Sequence, residues 1–231
     1  MLLRFFTLFT KATKVEAHEI KAVFLSFAFV FTILASYYIL RPVRDAMSSD
    51  WSDAQLSTIW TFTFLISFFV VSLYGYACSK IKFKLLVPSI YGIFALTFYF
   101  LFLLTNFFPG LNLINQIFYV WVSVFSLLNI SVFWSFMADT YNKEQAKRLF
   151  GFIAAGSSLG AFCGPLITPL FARTVGSNGL ILISATMLFI PVLIAIFLQR
   201  IKETDLQNRT TSEFNEQPMG AKIFSGFKEL G

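Results

Sequence analysis

The chain has 231 residues, of which 57% are hydrophobic and only 13% carry a formal charge. A soluble domain keeps about a quarter of its residues charged in order to cover its core, so this composition excludes a soluble domain and predicts an exterior that lipid solvates. The net charge of +6 does not indicate a nucleic-acid partner, because the basic residues fall in short runs between apolar segments, as the positive-inside rule expects.

Residues 1–21 are predicted to form a cytoplasmic or interfacial lead-in. The opening stretch MLLRFFTLFT is apolar but lacks the small-residue cleavage site of a signal peptide. It is more typical of an amphipathic segment that lies in the membrane interface. The single histidine, His18, lies among charged neighbours, and we interpret it as a solvated side chain rather than a metal ligand.

Six segments between residues 22 and 198 are long and apolar enough to span the hydrocarbon core, which needs about 20 helical residues. They are Ala22–Leu40, Ser57–Ala77, Leu85–Thr105, Leu113–Met137, Leu149–Ala172 and Gly179–Leu198. These runs are too long and too uniformly apolar for the strands of a membrane barrel. The sequence therefore predicts an all-α transmembrane fold, a six-helix bundle over residues 22–198.

The distribution of lysine and arginine predicts the orientation of these spans. One side of the predicted topology receives nearly all of the basic residues, whereas the other side holds only Arg41, Arg44 and Arg173. The positive-inside rule then places both termini in the cytoplasm of a multi-pass protein of the inner cell membrane.

The stretch YYILRPVRDAM, from Tyr37 to Met47, places charges at the end of the first predicted span. Two interpretations remain open. Arg41 follows about 19 apolar residues and can snorkel at the interface, where Pro42 favours a helix end. Alternatively, Arg41, Arg44 and Asp45 face a polar cavity with Tyr38, because arginine forks match phosphate oxygens and aromatic faces stack on bases.

The fifth predicted span carries a small-residue face. Gly156, Gly160 and Gly164 are spaced by four, which lets a neighbouring backbone approach closely. We interpret this face as helix packing inside the chain; the alternative is a contact with a second half or another copy. Pro165 and Pro169 follow in the same span and predict a kink.

The composition changes after the sixth span. Residues 199–222 are polar and mixed in charge, which predicts that 199–231 is a flexible cytoplasmic linker. Because a linker connects two parts, we expect the chain to be the front half of a longer protein or a product cut short. The expected partners are the lipid bilayer and either a second six-helix half or another copy of the chain.

Two stretches resemble one known family. YYILRPVRDAM and the segment Phe133–Leu166 are similar to the nucleotide translocases, the ATP/ADP exchangers of obligate intracellular bacteria and plastids, and especially to the bacterial major facilitator proteins related to them. The resemblance implies one half of a major facilitator transporter, with a site where two six-helix halves meet. Arg41, Arg44 and Asp45 match charged residues of the family, with arginine at 44 in place of its lysine, and Gln145 stands where the family has a required glutamate.

These observations predict a transporter rather than an enzyme. The sequence has no P-loop, and neither Cys78 nor Cys163 has a CxxC partner, so we predict no ATP hydrolysis, disulfide, metal site or cofactor. The expected function is exchange of a nucleotide or a nucleotide-like anion by alternating access, with Arg41 and Arg44 attracting the anion and Asp45 holding them. The alternatives are a permease for an unrelated solute and a non-transporting scaffold component or truncated remnant.

Overall fold

The computed structural model describes residues 15–204 and Leu206, and this part of the chain is all-helical, with no strand. The predicted lead-in before residue 15 and the predicted linker at residue 205 and from residue 207 onward lie outside the described residues. The prediction of an all-α chain is confirmed for the part that the structure describes.

Helical segments follow one another closely along the described chain. They are α1 (Ile20–Met47), α2 (Asp53–Lys80), α3 (Phe83–Phe107), α4 (Asn112–Thr140), α5 (Lys143–Met187) and α6 (Phe189–Thr204). Five helices are long and apolar enough to cross a membrane, namely α1 to α4 and the run Lys143–Thr204 that joins α5 and α6. Several such helices fit the predicted multi-pass membrane protein, while the division of the last run into two spans stays a prediction.

The run Lys143–Thr204 changes direction at Gly176. This residue has φ 69° and ψ 179°, and glycine adopts a positive φ without a steric penalty. Before the break the run contacts the beginning of α1, and near its end it contacts the end of α4. Asn178, just past the break, shares a small cavity with Met47 at the other end of the bundle. The chain therefore runs along the bundle in one direction before Gly176 and returns after it.

The bundle has two ends, which we name after the charged residues found there. The Arg44 end holds the end of α1 and the beginnings of α2 and α4. The Lys202 end holds the beginnings of α1 and α5 and the ends of α4 and α6. The short connections from α1 through to α5 alternate between these two ends, and the reversal at Gly176 within the last run lies at the Arg44 end.

Helix α1 runs parallel to residues 143–175 of α5 and lies in close contact with them. Gly156, Gly160 and Gly164 are all buried and face α1. A Cβ atom at Gly156 would lie 2.7 Å from the carbonyl oxygen of Phe27, and one at Gly164 would lie 2.7 Å from the Cβ atom of Tyr38. The glycine face is thus occupied by a helix of the same chain.

Aromatic side chains fill the centre of the bundle. The ring of Phe29 on α1 makes edge contacts with Tyr91 on α3 and with Phe133 on α4, at centroid distances of 5.3 and 5.4 Å. Phe98 and Phe125 meet edge-on at 5.5 Å nearer the Arg44 end. Edge-to-face packing is the geometry that aromatic quadrupoles favour, so these contacts fix how α3 and α4 pack beside α1.

Helix α2 lies at the periphery of the bundle. Only Ile59 and Ser67 of its residues are buried, while side chains such as Phe64 and Phe68 are largely exposed. A water-soluble protein rarely exposes such a large apolar patch. In a bilayer these side chains would meet lipid tails, which are as apolar as they are.

Candidate functional site

Helix α1 does not end at Leu40, the end of the first predicted span. It continues through Pro42 to Met47. Proline inside a helix removes one backbone donor and usually kinks the helix. Here Val43 is buried against the other helices, so tertiary packing outweighs the local preference. The continued helix places Arg41 and Asp45 one turn apart on the same face.

Arg44 is turned toward α4 and is only 16% exposed. Its Nε and Nη2 atoms both donate to Oδ1 of Asp45, at 3.0 and 2.7 Å. Its Nη1 atom donates to the hydroxyl of Ser123 at 3.4 Å, and its guanidinium carbon lies 5.1 Å from the ring centroid of Tyr119. A cation at this distance is attracted by the negative face of the ring. These contacts hold the guanidinium group between α1 and α4.

Arg41 is half-exposed and less constrained. Its Nε atom lies 3.9 Å from Oδ2 of Asp45, and its guanidinium carbon lies 6.0 Å from the ring centroid of Tyr38. Both distances are at the outer limit of a direct interaction. The structure thus brings four predicted residues together, namely Arg41, Arg44, Asp45 and Tyr38, which we call the arginine cluster. Two guanidinium groups and one carboxylate leave the cluster with one net positive charge.

Further aromatic side chains support the arginine cluster, and the sequence did not single them out. The ring of Trp51 packs on that of Tyr119 at 5.5 Å, and the indole of Trp60 donates to the Tyr119 hydroxyl at 3.0 Å. Trp51 also donates to Asn112 at 3.1 Å, where α4 begins. Tyr119 and Ser123 are one turn apart on α4. In the sequence, the only signal for their role was a pair of polar residues at helical spacing within an apolar span.

Gln145 is not brought to the arginine cluster. It lies at the beginning of α5, where its Oε1 atom accepts from the backbone nitrogen of Asn142 at 3.1 Å and its own nitrogen donates to the Asn142 side chain at 2.9 Å. This reciprocal pair is a capping box, which satisfies free backbone donors of a helix start. Ser123 and Thr140, the end of α4, are about 25 Å apart along the helix, so Gln145 lies at the opposite end from Arg44.

Two ion pairs occupy the Lys202 end, one of them buried on both sides. The ammonium group of Lys202 lies 2.9 Å from Oδ2 of Asp139, and the two side chains are only 4% and 3% exposed. Arg148 donates to both carboxylate oxygens of Glu19, at 2.9 and 3.2 Å, and the Glu19 side chain is buried. One pair links α4 to α6 and the other links α1 to α5. Buried charges of this kind persist only when they are paired.

The position of Lys202 corrects the predicted start of the linker. Residues 199–231 were expected to be flexible, but α6 continues beyond Leu198 to Thr204 and carries Lys202 on its buried face. The carboxylate of Asp139 neutralises this lysine, so the helix can carry a buried charge. Hydropathy alone assigns such a charged residue to a polar segment outside the helix.

Tyr141, the residue after α4, joins the same end of the bundle. Its hydroxyl group lies 2.9 Å from that of Ser26 on α1, and both groups are buried. Burial raises the pKa of the Tyr141 hydroxyl above its ordinary value, and the nearby carboxylate of Glu19 raises it as well. The hydroxyl therefore stays protonated and available for hydrogen bonding over the physiological pH range.

A cavity in the described part of the chain lies away from the arginine cluster. It has a volume of about 640 Å3 and lies between α2 and α4. None of Arg41, Arg44, Asp45 or Tyr38 lines it. Within the described residues, no group of three or more histidine, cysteine, aspartate or glutamate side chains is arranged to hold a metal ion.

Comparison with known proteins adds no family. No protein-family model, curated protein or solved structure matches the chain. The resemblance to the nucleotide translocases therefore rests on the two sequence stretches alone.

Proposed function

We propose that the chain is the N-terminal half of a membrane secondary transporter that exchanges a nucleotide or a nucleotide-like anion by alternating access. The observation that carries this proposal is the burial of Arg44 against α4, in a cluster with one net positive charge. A desolvated arginine in a membrane-length helix is costly, and such residues are commonly part of a substrate or ion pathway. The solute would bind at the Arg44 end.

The direction of Arg44 supports the interpretation that the arginines face a binding site. An arginine that only snorkels points its guanidinium group away from the bundle and toward lipid headgroups. Arg44 instead points at Tyr119 and Ser123 of a neighbouring helix. Arg41 fits either interpretation, because half of its side chain is exposed. Its guanidinium group is the one more open to a phosphate.

The length of the last helical run supports six crossings. The 62 residues of Lys143–Thr204 would measure about 93 Å as a straight helix, three times the hydrocarbon thickness of about 30 Å. The reversal at Gly176 divides the run into two antiparallel parts of membrane length. Together with α1 to α4 they make a six-span bundle that resembles one half of a major facilitator transporter. A second half or another copy would complete the solute site.

The charges at the two ends support an inner-membrane protein with cytoplasmic termini. Around the connections at the Lys202 end the basic residues are Lys80, Lys82, Lys84, Lys143, Lys147 and Arg148. At the Arg44 end they are Arg41, Arg44 and Arg173. The positive-inside rule then assigns the Lys202 end to the cytoplasm and the Arg44 end to the outer face.

A permease for an unrelated anion is the second candidate, and one contact favours it. Asp45 occupies the edge of Arg44 formed by Nε and Nη2, which is an edge that could otherwise hold two phosphate oxygens. A solute must then displace Asp45 or bind mainly to Arg41. A small anion without a nucleobase could bind mainly to Arg41 and leave Asp45 in place.

Uptake of labelled ATP by vesicles that contain the intact protein tests the proposal. We expect Arg44→Ala to lower the initial uptake rate by roughly tenfold to a hundredfold, the effect of losing a hydrogen-bonded charge. Arg44→Lys should retain part of the rate, because the charge remains and the planar fork is lost.

Arg173→Ala is the matched control, since it removes a basic residue outside the arginine cluster. Its uptake rate should equal that of the unaltered protein. Equal uptake by Arg44→Ala and Arg173→Ala would remove Arg44 from the site. Inhibition by unlabelled pyrophosphate but not by adenosine would favour the second candidate.

A further inference from the structure

The cleft between α2 and α4 has the size of a ligand site. Its volume of about 640 Å3 lies within the range of about 300–1,000 Å3 that small-molecule sites occupy. Its walls come from the first half of each helix, from Ala54 to Ile66 on α2 and from Leu113 to Trp121 on α4. Both helices begin at the Arg44 end, so the cleft extends from that end toward the middle of the bundle.

The polar amide and hydroxyl side chains of the cleft lie near the helix starts, among apolar ones, and the deeper lining is mainly apolar. Gln55, Thr58 and Gln116 line it near the helix starts, whereas Phe62 and Ile66 line it farther along α2. The distance from Ala54 to Ile66 is about 18 Å along the helix axis. Half of the hydrocarbon thickness of a bilayer is about 15 Å, so the cleft is about as deep as one leaflet.

Two hydrogen bonds fix the walls of the cleft. The indole nitrogen of Trp60 donates to the hydroxyl of Tyr119 at 3.0 Å, which ties α2 to α4 beside the cleft. The indole nitrogen of Trp121 donates to Oγ1 of Thr97 on α3 at 2.8 Å, so the Trp121 ring forms a fixed wall. The cleft is therefore preformed, which lowers the entropy cost of binding.

The cleft opens sideways, toward the surface that lipid would cover. Phe62 on α2 and Ile117 on α4 line it, and both are about half-exposed. Water does not fill a space lined mainly by apolar side chains, because it needs several polar partners. A solute dissolved in water would also have to cross lipid to enter from this side. The occupant that fits these conditions is a molecule of the bilayer.

We propose that the cleft binds one phospholipid of the leaflet at the Arg44 end, with an acyl chain between α2 and α4. The amide groups of Gln55 and Gln116 lie at the level where the ester and phosphate oxygens of that lipid would need donors. Asp53 is the first residue of α2 and is next to Ala54, which lines the cleft, and its carboxylate would repel a headgroup with net negative charge. The preferred lipid is therefore zwitterionic, with an amine that Asp53 attracts.

Native mass spectrometry of the full chain tests this site. The protein is extracted in mild detergent from nanodiscs that contain phosphatidylethanolamine and phosphatidylglycerol in equal amounts, and the retained lipid is identified by mass. We expect one phosphatidylethanolamine per chain. Ile117→Trp fills the cleft and should lower the retained fraction by roughly tenfold, because exclusion of about two methylene groups already has that effect.

Leu127→Trp is the matched control, since Leu127 is similarly exposed on α4 but does not line the cleft. It should retain the lipid as the unaltered chain does. Thr58→Trp fills the cleft from α2 and repeats the test if Ile117→Trp does not fold. Equal retention by all variants, or no retained lipid on the unaltered chain, would overturn the site. Retention of phosphatidylglycerol instead would overturn the role given to Asp53.

Lipid binding in the cleft can be measured separately from the anion transport proposed above, because no residue of the arginine cluster lines the cleft. Loss of lipid from Ile117→Trp can therefore be observed whether or not the protein carries ATP. Conversely, Arg44→Ala should leave the retained lipid unchanged while it lowers uptake.

Discussion

Asp139→Asn is expected to lower the free energy of unfolding by about 3–5 kcal/mol, the range found when one partner of a buried ion pair is removed. Lys202 is only 4% exposed and its ammonium group lies 2.9 Å from the Asp139 carboxylate. The substitution leaves that charge without its counter-ion inside an apolar bundle. Equilibrium unfolding in mixed detergent micelles measures the change.

Glu203→Gln provides the control for this prediction. Glu203 is next to Lys202 in α6 but is exposed, so loss of its charge should leave unfolding nearly unchanged. The double variant Asp139→Leu, Lys202→Met should recover most of the lost stability, because an apolar pair of similar volume can replace a buried ion pair. An Asp139→Asn protein as stable as Glu203→Gln would show that the ion pair does not hold α4 to α6.

Gly160→Ala is expected to destabilise the contact between α1 and α5 by about 2–3 kcal/mol, the upper part of the range for overpacking. A Cβ atom at Gly160 would overlap the carbonyl oxygen of Phe31 and would lie 3.1 Å from the backbone nitrogen of Ala35. Backbone atoms cannot move aside as a flexible side chain can, so the two helices must separate. The same unfolding measurement in micelles gives the size of the effect.

Gly151→Ala is the matched control on the same helix. A Cβ atom there meets nothing within 4 Å, and alanine has a helix propensity up to about 1 kcal/mol better than glycine. We expect this variant to be equal to or more stable than the unaltered chain. If both variants were stabilised, α1 and α5 would not be in the contact that the structure describes.

Hydropathy predicted the middle of the helices and missed their ends. The second and third predicted spans, Ser57–Ala77 and Leu85–Thr105, lie inside α2 and α3. Helix α2 extends beyond its apolar run because Ser52 caps its beginning through a hydrogen bond with Gln55. An apolar run indicates which residues can face the lipid hydrocarbon, whereas the helix itself can continue into the polar residues on either side.

Two features of the fold depend on contacts that are distant in sequence. Pro42 predicted a helix end, yet α1 continues because Val43 and its neighbours are buried by other helices. The polar composition after Leu198 predicted a flexible linker, yet α6 continues to Thr204 because Asp139, far earlier in the chain, neutralises the charge of Lys202. Neither the helices that bury Val43 nor the carboxylate of Asp139 can be identified from the local sequence.

The candidate site likewise contains residues that the sequence predicted and residues that only the packing of the helices shows. Arg41, Arg44 and Asp45 were predicted together because they lie within one short stretch of the sequence, directly after the first predicted span. Tyr119 and Ser123 hold Arg44 from α4, and only the packing of α1 on α4 shows their role. Gln145 was assigned to the site by the resemblance to the translocases, whereas the structure places it at the opposite end of the bundle.

Direct binding of labelled ATP to the purified protein in nanodiscs is the measurement closest to the proposed anion site. We predict saturable binding that pyrophosphate displaces and that rising salt weakens, because the cluster attracts the ligand by charge. Arg41→Gln and Arg44→Gln should each raise the Kd by roughly tenfold or more, while Arg173→Gln should not change it. Equal affinity in all four proteins, or no saturable binding of any phosphate compound, would contradict an anion site at the end of α1.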